Sequence, residues 1–122
     1  MKKILFIEDE AVLQEAFGGF LKQAGYKVLS ALDGEIGLRL AKTEKPDLIL
    51  LDIVLPKYNG FEVLGKLKSE KETENIPVIV LTNMEKMEDI NKAIELGAKT
   101  YLVKTQYELK EVIDKIKKII GK

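Results

Sequence analysis

An α/β fold on a mainly parallel, five-stranded sheet with helices on both faces is predicted by three features of the sequence. Short apolar runs alternate five times with longer stretches of helical period along 122 residues. Two of the runs, 48–51 and 78–81, are apolar at every position, as in strands covered on both faces. Turn and stop signals at Gly25, Asp33-Gly34, Pro46-Asp47 and Gly97 separate these segments. Strands joined in this way take right-handed crossovers.

Each element follows from local pattern. Residues 2–7 read as a buried strand. Val12, Leu13, Ala16, Phe17, Phe20, Leu21 and Ala24 then recur at helical spacing, and Gly25 stops that helix. This places Gly18 and Gly19 on its polar face, where each costs about 1 kcal/mol relative to Ala. Residues 27–31 form a second strand. Asp33-Gly34 is a turn and helix entry leading to Ile36, Leu38, Leu40 and Ala41, and Pro46-Asp47 ends that unit. After the strand at 48–51, residues 56–60 form a loop. Asn59, three residues before Glu62, is an N-cap for a helix carrying Phe61, Leu64 and Leu67. Ile90, Ala93, Ile94 and Gly97 mark the fourth helix and its stop. Residues 101–103 are the fifth strand, and Leu109, Val112, Ile113, Ile116 and Ile120 are the face of the last helix.

Composition narrows the function. The length suits one compact domain over 1–122, and 46% hydrophobic with 33% charged residues is a globular balance. Twenty basic and 20 acidic side chains cancel, which argues against direct nucleic-acid binding. There is no Cys and no His, so disulfides, structural zinc, thiol nucleophiles and histidine acid–base schemes are excluded. The apolar run at 4–7 is too short for a signal peptide and is followed at once by Glu8-Asp9-Glu10. No run approaches the ~20 apolar residues of a membrane span. The expectation is a cytoplasmic protein with no membrane insertion.

In open parallel sheets, ligands sit outside the carboxyl ends of the strands. Those ends carry Glu8-Asp9, Asp52, Thr82-Asn83 and Lys104-Thr105. Each alone has an ordinary explanation, since an acid after a strand is commonly a turn or N-cap residue. Together they are three acids, a hydroxyl and an ammonium at one predicted rim. Clustered carboxylates repel, and all-oxygen ligands favour a hard divalent ion such as Mg2+. A metal, a lysine and a hydroxyl form a phosphoryl-binding set, and an aspartate can accept a phosphoryl group as nucleophile. A nucleotide or flavin site is disfavoured, because neither GxGxxG nor GxxxxGK[ST] occurs and the first such loop is acidic.

These residues resemble the receiver domain of bacterial two-component response regulators. The resemblance rests on Glu8-Asp9, on 50–56 with Asp52 and Pro56 followed by Gly60, on Val80-Leu81-Thr82, and on 97–104 ending in Lys104. It implies the strand order 2-1-3-4-5 of a flavodoxin-like receiver fold. It also implies Asp52 as phosphoacceptor, Mg2+ held by Asp9, Asp52 and the Val54 carbonyl, and Glu8 holding it through water. Thr82 would bind a phosphoryl oxygen, Lys104 would pair with Asp52, and Tyr101 would be the aromatic switch residue. The implied function is a stand-alone phosphorylation-dependent switch rather than an enzyme acting on external substrates. The phosphodonor would be a sensor histidine kinase, a phosphotransfer protein or a small acyl phosphate, and the output a downstream target protein. The protein would be a monomer or a phosphorylation-dependent dimer. The other readings are a phosphorylation-independent interaction domain on the same fold and a Mg2+-dependent phosphatase.

Several positions depart from the family pattern. Thr105 stands where the family usually has proline, so either a trans bond with a shifted loop or a strained cis bond is expected. Thr105-Gln106-Tyr107-Glu108 fits a capping box that would open the last helix. Asn83 replaces a small residue and is expected to narrow access. Val54 and Met84 are apolar where the family flanks the hydrolytic water, which predicts a long-lived aspartyl phosphate. Val12 or Leu13 is expected to remain exposed for kinase docking.

Overall fold

The computed structural model describes residues 1–121. Strands β1 (Lys3–Ile7), β2 (Lys27–Ala31), β3 (Leu48–Leu51), β4 (Val78–Thr82) and β5 (Thr100–Val103) alternate with helices α1 (Ala11–Gln23), α2 (Gly34–Glu44), α3 (Gly60–Ser69), α4 (Met87–Glu95) and α5 (Leu109–Ile120). The strands form one parallel sheet in the order β2-β1-β3-β4-β5. This is the expected flavodoxin-like receiver arrangement, and the order reverses beside β1, where a ligand crevice is favoured.

The period of two sorts the apolar strand residues onto two faces. Leu5, Ile7, Ile49, Leu51, Val78 and Val80 pack with Ala41, Val63, Leu64, Leu67 and Ala93 of α2, α3 and α4. Ile4, Phe6, Leu48, Leu50, Ile79 and Leu81 pack with Phe17, Leu21, Val112, Ile113 and Ile116 of α1 and α5. Phe6 and Phe17 meet edge to face at 5.4 Å between centroids. All four residues of β3 are fully buried, as its unbroken apolar run requires.

Local signals set the element ends. Asp33 caps α2 by accepting from the Ile36 N–H at 2.8 Å. Asn59 and Glu62 exchange bonds of 3.0 and 3.3 Å at the start of α3, the expected capping box. Gly25 and Gly97 follow α1 and α4 with φ of 101° and 109°, a left-handed stop that favours glycine. At the far end of the chain, the buried Tyr26 hydroxyl donates to the Gly121 carbonyl at 2.7 Å.

Two expectations are corrected here. The buried face of α1 is Gln14, Phe17, Gly18 and Leu21. Gly18 is therefore not on the polar face: it lies against β2, and a Cβ there would meet Val28 Cγ1 at 3.8 Å. Gly19 is open to solvent, and Phe20 is partly exposed because the core face is rotated toward β2. The second correction concerns α5. Thr105 does not cap it; residues Lys104–Gln106 form a 3-10 turn and the helix begins at Leu109. Tyr107, extended at φ −134° and packed on the α1/α5 core, stands between them. The helix can start only after that anchor, where Glu111 accepts from the Glu108 N–H at 2.9 Å.

Candidate functional site

The predicted residues converge. Glu8 and Asp9 follow β1, Asp52 follows β3, Thr82 ends β4 and Lys104 follows β5, all at the carboxyl rim. Asp9, Glu10, Asp52, Val54, Thr82, Asn83 and Lys104 line a cleft of about 240 Å³. Parallel pairing carries the acids there. The Asp52 N–H donates to the Ile7 carbonyl at 3.0 Å and the Glu8 N–H to the Ala31 carbonyl at 3.0 Å, each extending a ladder by one rung. Gly60 lets the following loop close: its N–H donates to the Ile53 carbonyl at 2.7 Å, and a Cβ would fall 2.3 Å from Ile53 Cα.

Lys104 Nζ donates to Asp52 Oδ2 at 2.9 Å and to Glu8 Oε1 at 2.5 Å. Asp52 Oδ1 accepts from the Val54 N–H at 3.2 Å. Glu8 is fully buried, and its Oε2 accepts from the Glu10 N–H at 3.1 Å. Burial pushes the Glu8 carboxyl up to about 7, against the pull of Lys104 and the Glu10 N–H, while nearby Asp52 adds to the rise. For Lys104, burial disfavours the ammonium, but its bonds to Glu8 and Asp52 outweigh that and hold it above the usual lysine range. The Lys104–Thr105 peptide is trans, so the lysine reaches both acids without the proline-type bond. Lys104 was expected beside Asp52; its contact with Glu8 was not foreseen.

The site suits a hard cation. Glu8, Asp9 and Asp52 each offer a carboxylate oxygen, and these oxygens all lie within 4.8 Å of one another. One ammonium offsets three carboxylates, which leaves a residual negative charge when all are ionised. The Thr82 hydroxyl is fully buried at the cleft wall and has no hydrogen-bond partner. A donor buried without a partner is costly, and a phosphoryl oxygen in the cleft would satisfy it. Asn83 is exposed at the mouth. The Tyr101 ring is half-buried, and its hydroxyl donates to the Met84 carbonyl at 2.8 Å.

Comparison with known proteins agrees with this geometry. A family model for the response regulator receiver domain matches residues 4–117. The chain belongs to that family. Receiver domains typically bind Mg2+ at such an acidic pocket and interact with histidine kinases and downstream effectors, and membership is consistent with phosphorylation-dependent signalling. This receiver is 40% identical over 119 residues to the alkaline phosphatase synthesis transcriptional regulatory protein PhoP of Bacillus subtilis, covering 98% of this chain and 48% of that one. It is 38% identical over 104 residues to protein PilH of Pseudomonas aeruginosa, covering 85% of this chain and 86% of that one. It also matches, at 35% identity over 98% of this chain and 49% of the relative, the DNA-binding dual master transcriptional regulator RpaA of Synechocystis. The chain thus spans about half the length of several relatives, and the receiver's own charge balance says nothing of what such longer proteins bind. Among solved structures, the receiver domain of sensor histidine kinase PA1611 from Pseudomonas aeruginosa has a magnesium ion coordinated in its active-site cleft. It aligns at TM-score 0.89 and 27% identity, over 99% of this chain and 98% of that one. The BeF3-activated receiver domain of Klebsiella pneumoniae RstA aligns at TM-score 0.91 and 25% identity, over 99% and 100%. Among the described residues no helix is long and apolar enough to cross a membrane.

Sequence reasoning missed Gln14. Its side chain is buried behind the acidic pair, although its spacing of three and seven from Phe17 and Leu21 puts it on the apolar face. A polar residue on that stripe was the available signal.

Proposed function

We propose that this receiver is a phosphorylation-dependent switch in which Asp52 takes up the phosphoryl group. The observation that carries the reading is the Asp52 carboxylate, gripped by Lys104 at 2.9 Å in a cleft shared with two further acids and an unpartnered buried hydroxyl, that of Thr82. We read residues 1–122 as one receiver unit.

The chemistry follows from the groups present. An oxygen of ionised Asp52 forms a bond to phosphorus as the P–N bond of a phosphohistidine, or the P–O bond of a small acyl phosphate, breaks. The leaving imidazole or carboxylate keeps the electron pair, and Asp52 has no proton to lose. Asp9, Asp52 and the Val54 carbonyl would hold Mg2+, with Glu8 acting through water. When bound, the ion supplies positive charge against the equatorial phosphoryl oxygens. Lys104 supplies a second positive charge, and Thr82 donates its free O–H to one oxygen. Movement of Thr82 toward the phosphoryl group opens room for Tyr101, whose bond to the Met84 carbonyl ties it to the β4–α4 connection. The resulting change of surface is the output, read by a downstream protein. A histidine kinase or phosphotransfer protein is the donor in this reading, which places the switch in the cytoplasm.

Incubation with acetyl phosphate and Mg2+ tests the reading by intact mass. One added phosphoryl group is expected, lost in Asp52→Asn and lost when the metal is chelated. A wild-type chain that takes up none under these conditions, yet still binds its partner, would overturn the switch and favour a phosphorylation-independent interaction domain.

A further inference from the structure

We propose that Gln14 is the positioning residue for the acidic pair, acting on metal affinity through the backbone of Glu8. The inference rests on the reading of Glu8, Asp9 and Asp52 as a Mg2+ site.

Gln14 lies on α1, 6% exposed, behind the carboxyl ends of β1 and β2. Its Nε2 stands 2.8 Å from the Phe6 carbonyl, 3.0 Å from the Ala31 carbonyl and 3.1 Å from the Glu8 carbonyl. All three neighbours are acceptors, so the nitrogen end of the amide must face them. The other end, Oε1, is buried and has no partner. A side chain that leaves its acceptor orphaned while sharing its two N–H bonds among three carbonyls is held there for its donors.

The three carbonyls have a common origin. In the β1–β2 ladder, the Lys27 N–H donates to the Lys2 carbonyl and the Glu8 N–H to the Ala31 carbonyl. The pairing ends at Ile7 and Ala31, and the chains then part toward α1 and α2. The Glu8 carbonyl, one residue past the strand end, accepts from no backbone N–H among the described residues. The Gln14 amide fills that place, as the next rung of the sheet would. It therefore fixes the backbone from which the buried Glu8 carboxylate reaches Lys104 and from which Asp9 enters the cleft. Groups that orient ligands from behind change metal affinity by about 10–100-fold when removed.

The substitution Gln14→Met keeps the length and removes both donors. Calorimetric titration with Mg2+ alone is expected to give a dissociation constant raised about 10-fold or more. The control is Leu21→Ala on the same helix face, which weakens the fold with no link to Glu8 and is expected to keep wild-type Mg2+ affinity. Equal affinity in Gln14→Met and wild type would overturn the proposal, as would an equal loss in Leu21→Ala. A second measurement uses the unmodified chain and so does not depend on either variant folding. The Gln14 side-chain amide protons are expected to exchange slowly and to shift in NMR spectra during Mg2+ titration with the Glu8 and Asp9 backbone signals. Freely exchanging protons that do not shift would also overturn it. A wild-type chain that binds no Mg2+ at all would instead refute the underlying site reading.

Discussion

Lys104 Nζ rests 2.9 Å from Asp52 Oδ2 while the same ammonium holds Glu8 at 2.5 Å. One cation thus bridges the ends of β1 and β3 from beyond β5, which lies three strand spacings from β1 and two from β3. The acid proposed to react and the acid buried beneath it share a single counter-charge. Any event that occupies Asp52 must redistribute that charge between them.

Removing the ammonium is therefore expected to make the fold depend on metal. Breaking a buried ion pair from one side costs about 3–5 kcal/mol in general, and the slight exposure of this lysine favours the lower end. Lys104→Met should melt below wild type without metal and gain more from added Mg2+ than wild type does. Thermal melts with and without Mg2+ check this; equal gains in the two proteins would contradict it.

Glu8 makes stability depend on pH in the metal-free protein. Its folded value, near 7, lies above the ordinary value of 4.5 because burial disfavours the charged form. The folded state then keeps a proton that the unfolded state releases. Its contribution is fully present below 4.5 and is lost as pH rises through about 7. Urea midpoints measured from pH 4.5 to 8 should show this loss, and Glu8→Gln should flatten it. Mg2+ should bind more tightly over the same rise, since it competes with that proton. A slope unchanged in Glu8→Gln would assign the effect to other groups.

Two glycines are expected to respond oppositely to the same substitution. In Gly60→Ala the new methyl would fall 2.3 Å from Ile53 Cα and 2.6 Å from the Asp52 carbonyl oxygen, both backbone atoms. Overpacking of this kind costs about 1–3 kcal/mol or more and would displace the segment carrying Asp52. In Gly19→Ala nothing lies within 4 Å, so helix propensity alone acts, with a gain of about 0.5–1 kcal/mol. Urea denaturation of the two variants is the test.

The phosphoryl group on Asp52 is expected to be long-lived. Val54 and Met84 line one apolar cleft with Ile53, Leu55, Asn59 and Phe61, beside the acidic one. Neither side chain can hold an attacking water by hydrogen bonding. Val54→Asn or Met84→Glu should hasten dephosphorylation after the donor is removed. No acceleration in either variant would count against the idea.

The sheet was legible because β3 is apolar at every position, β4 at every position before its terminal Thr82, and the stops at Gly25 and Gly97 are unambiguous. The strand order came only with the family resemblance, since periodicity carries no information on which strands are neighbours. The rim residues were legible for a related reason: once strands are parallel, the residue after each one lands at the same edge. The errors lay where packing overrides local pattern. Thr105-x-x-Glu108 and Glu108-x-x-Glu111 have the same spacing, and the helix takes the second, after the half-buried Tyr107 that packs on the core. On α1, counting apolar side chains drew the stripe toward Val12 and Phe20, whereas the sheet takes Gln14 and Gly18. Val12 is 82% exposed, in line with the expected open surface there.

Tyr26 fastens the end of α5 by its bond to the Gly121 carbonyl, at the pole of the molecule away from the acids. A rod pinned at its foot tilts rather than slides. A small push delivered through Lys104 and the 3-10 turn that leads into this helix would then be felt most at the head of α5 and least at its tail.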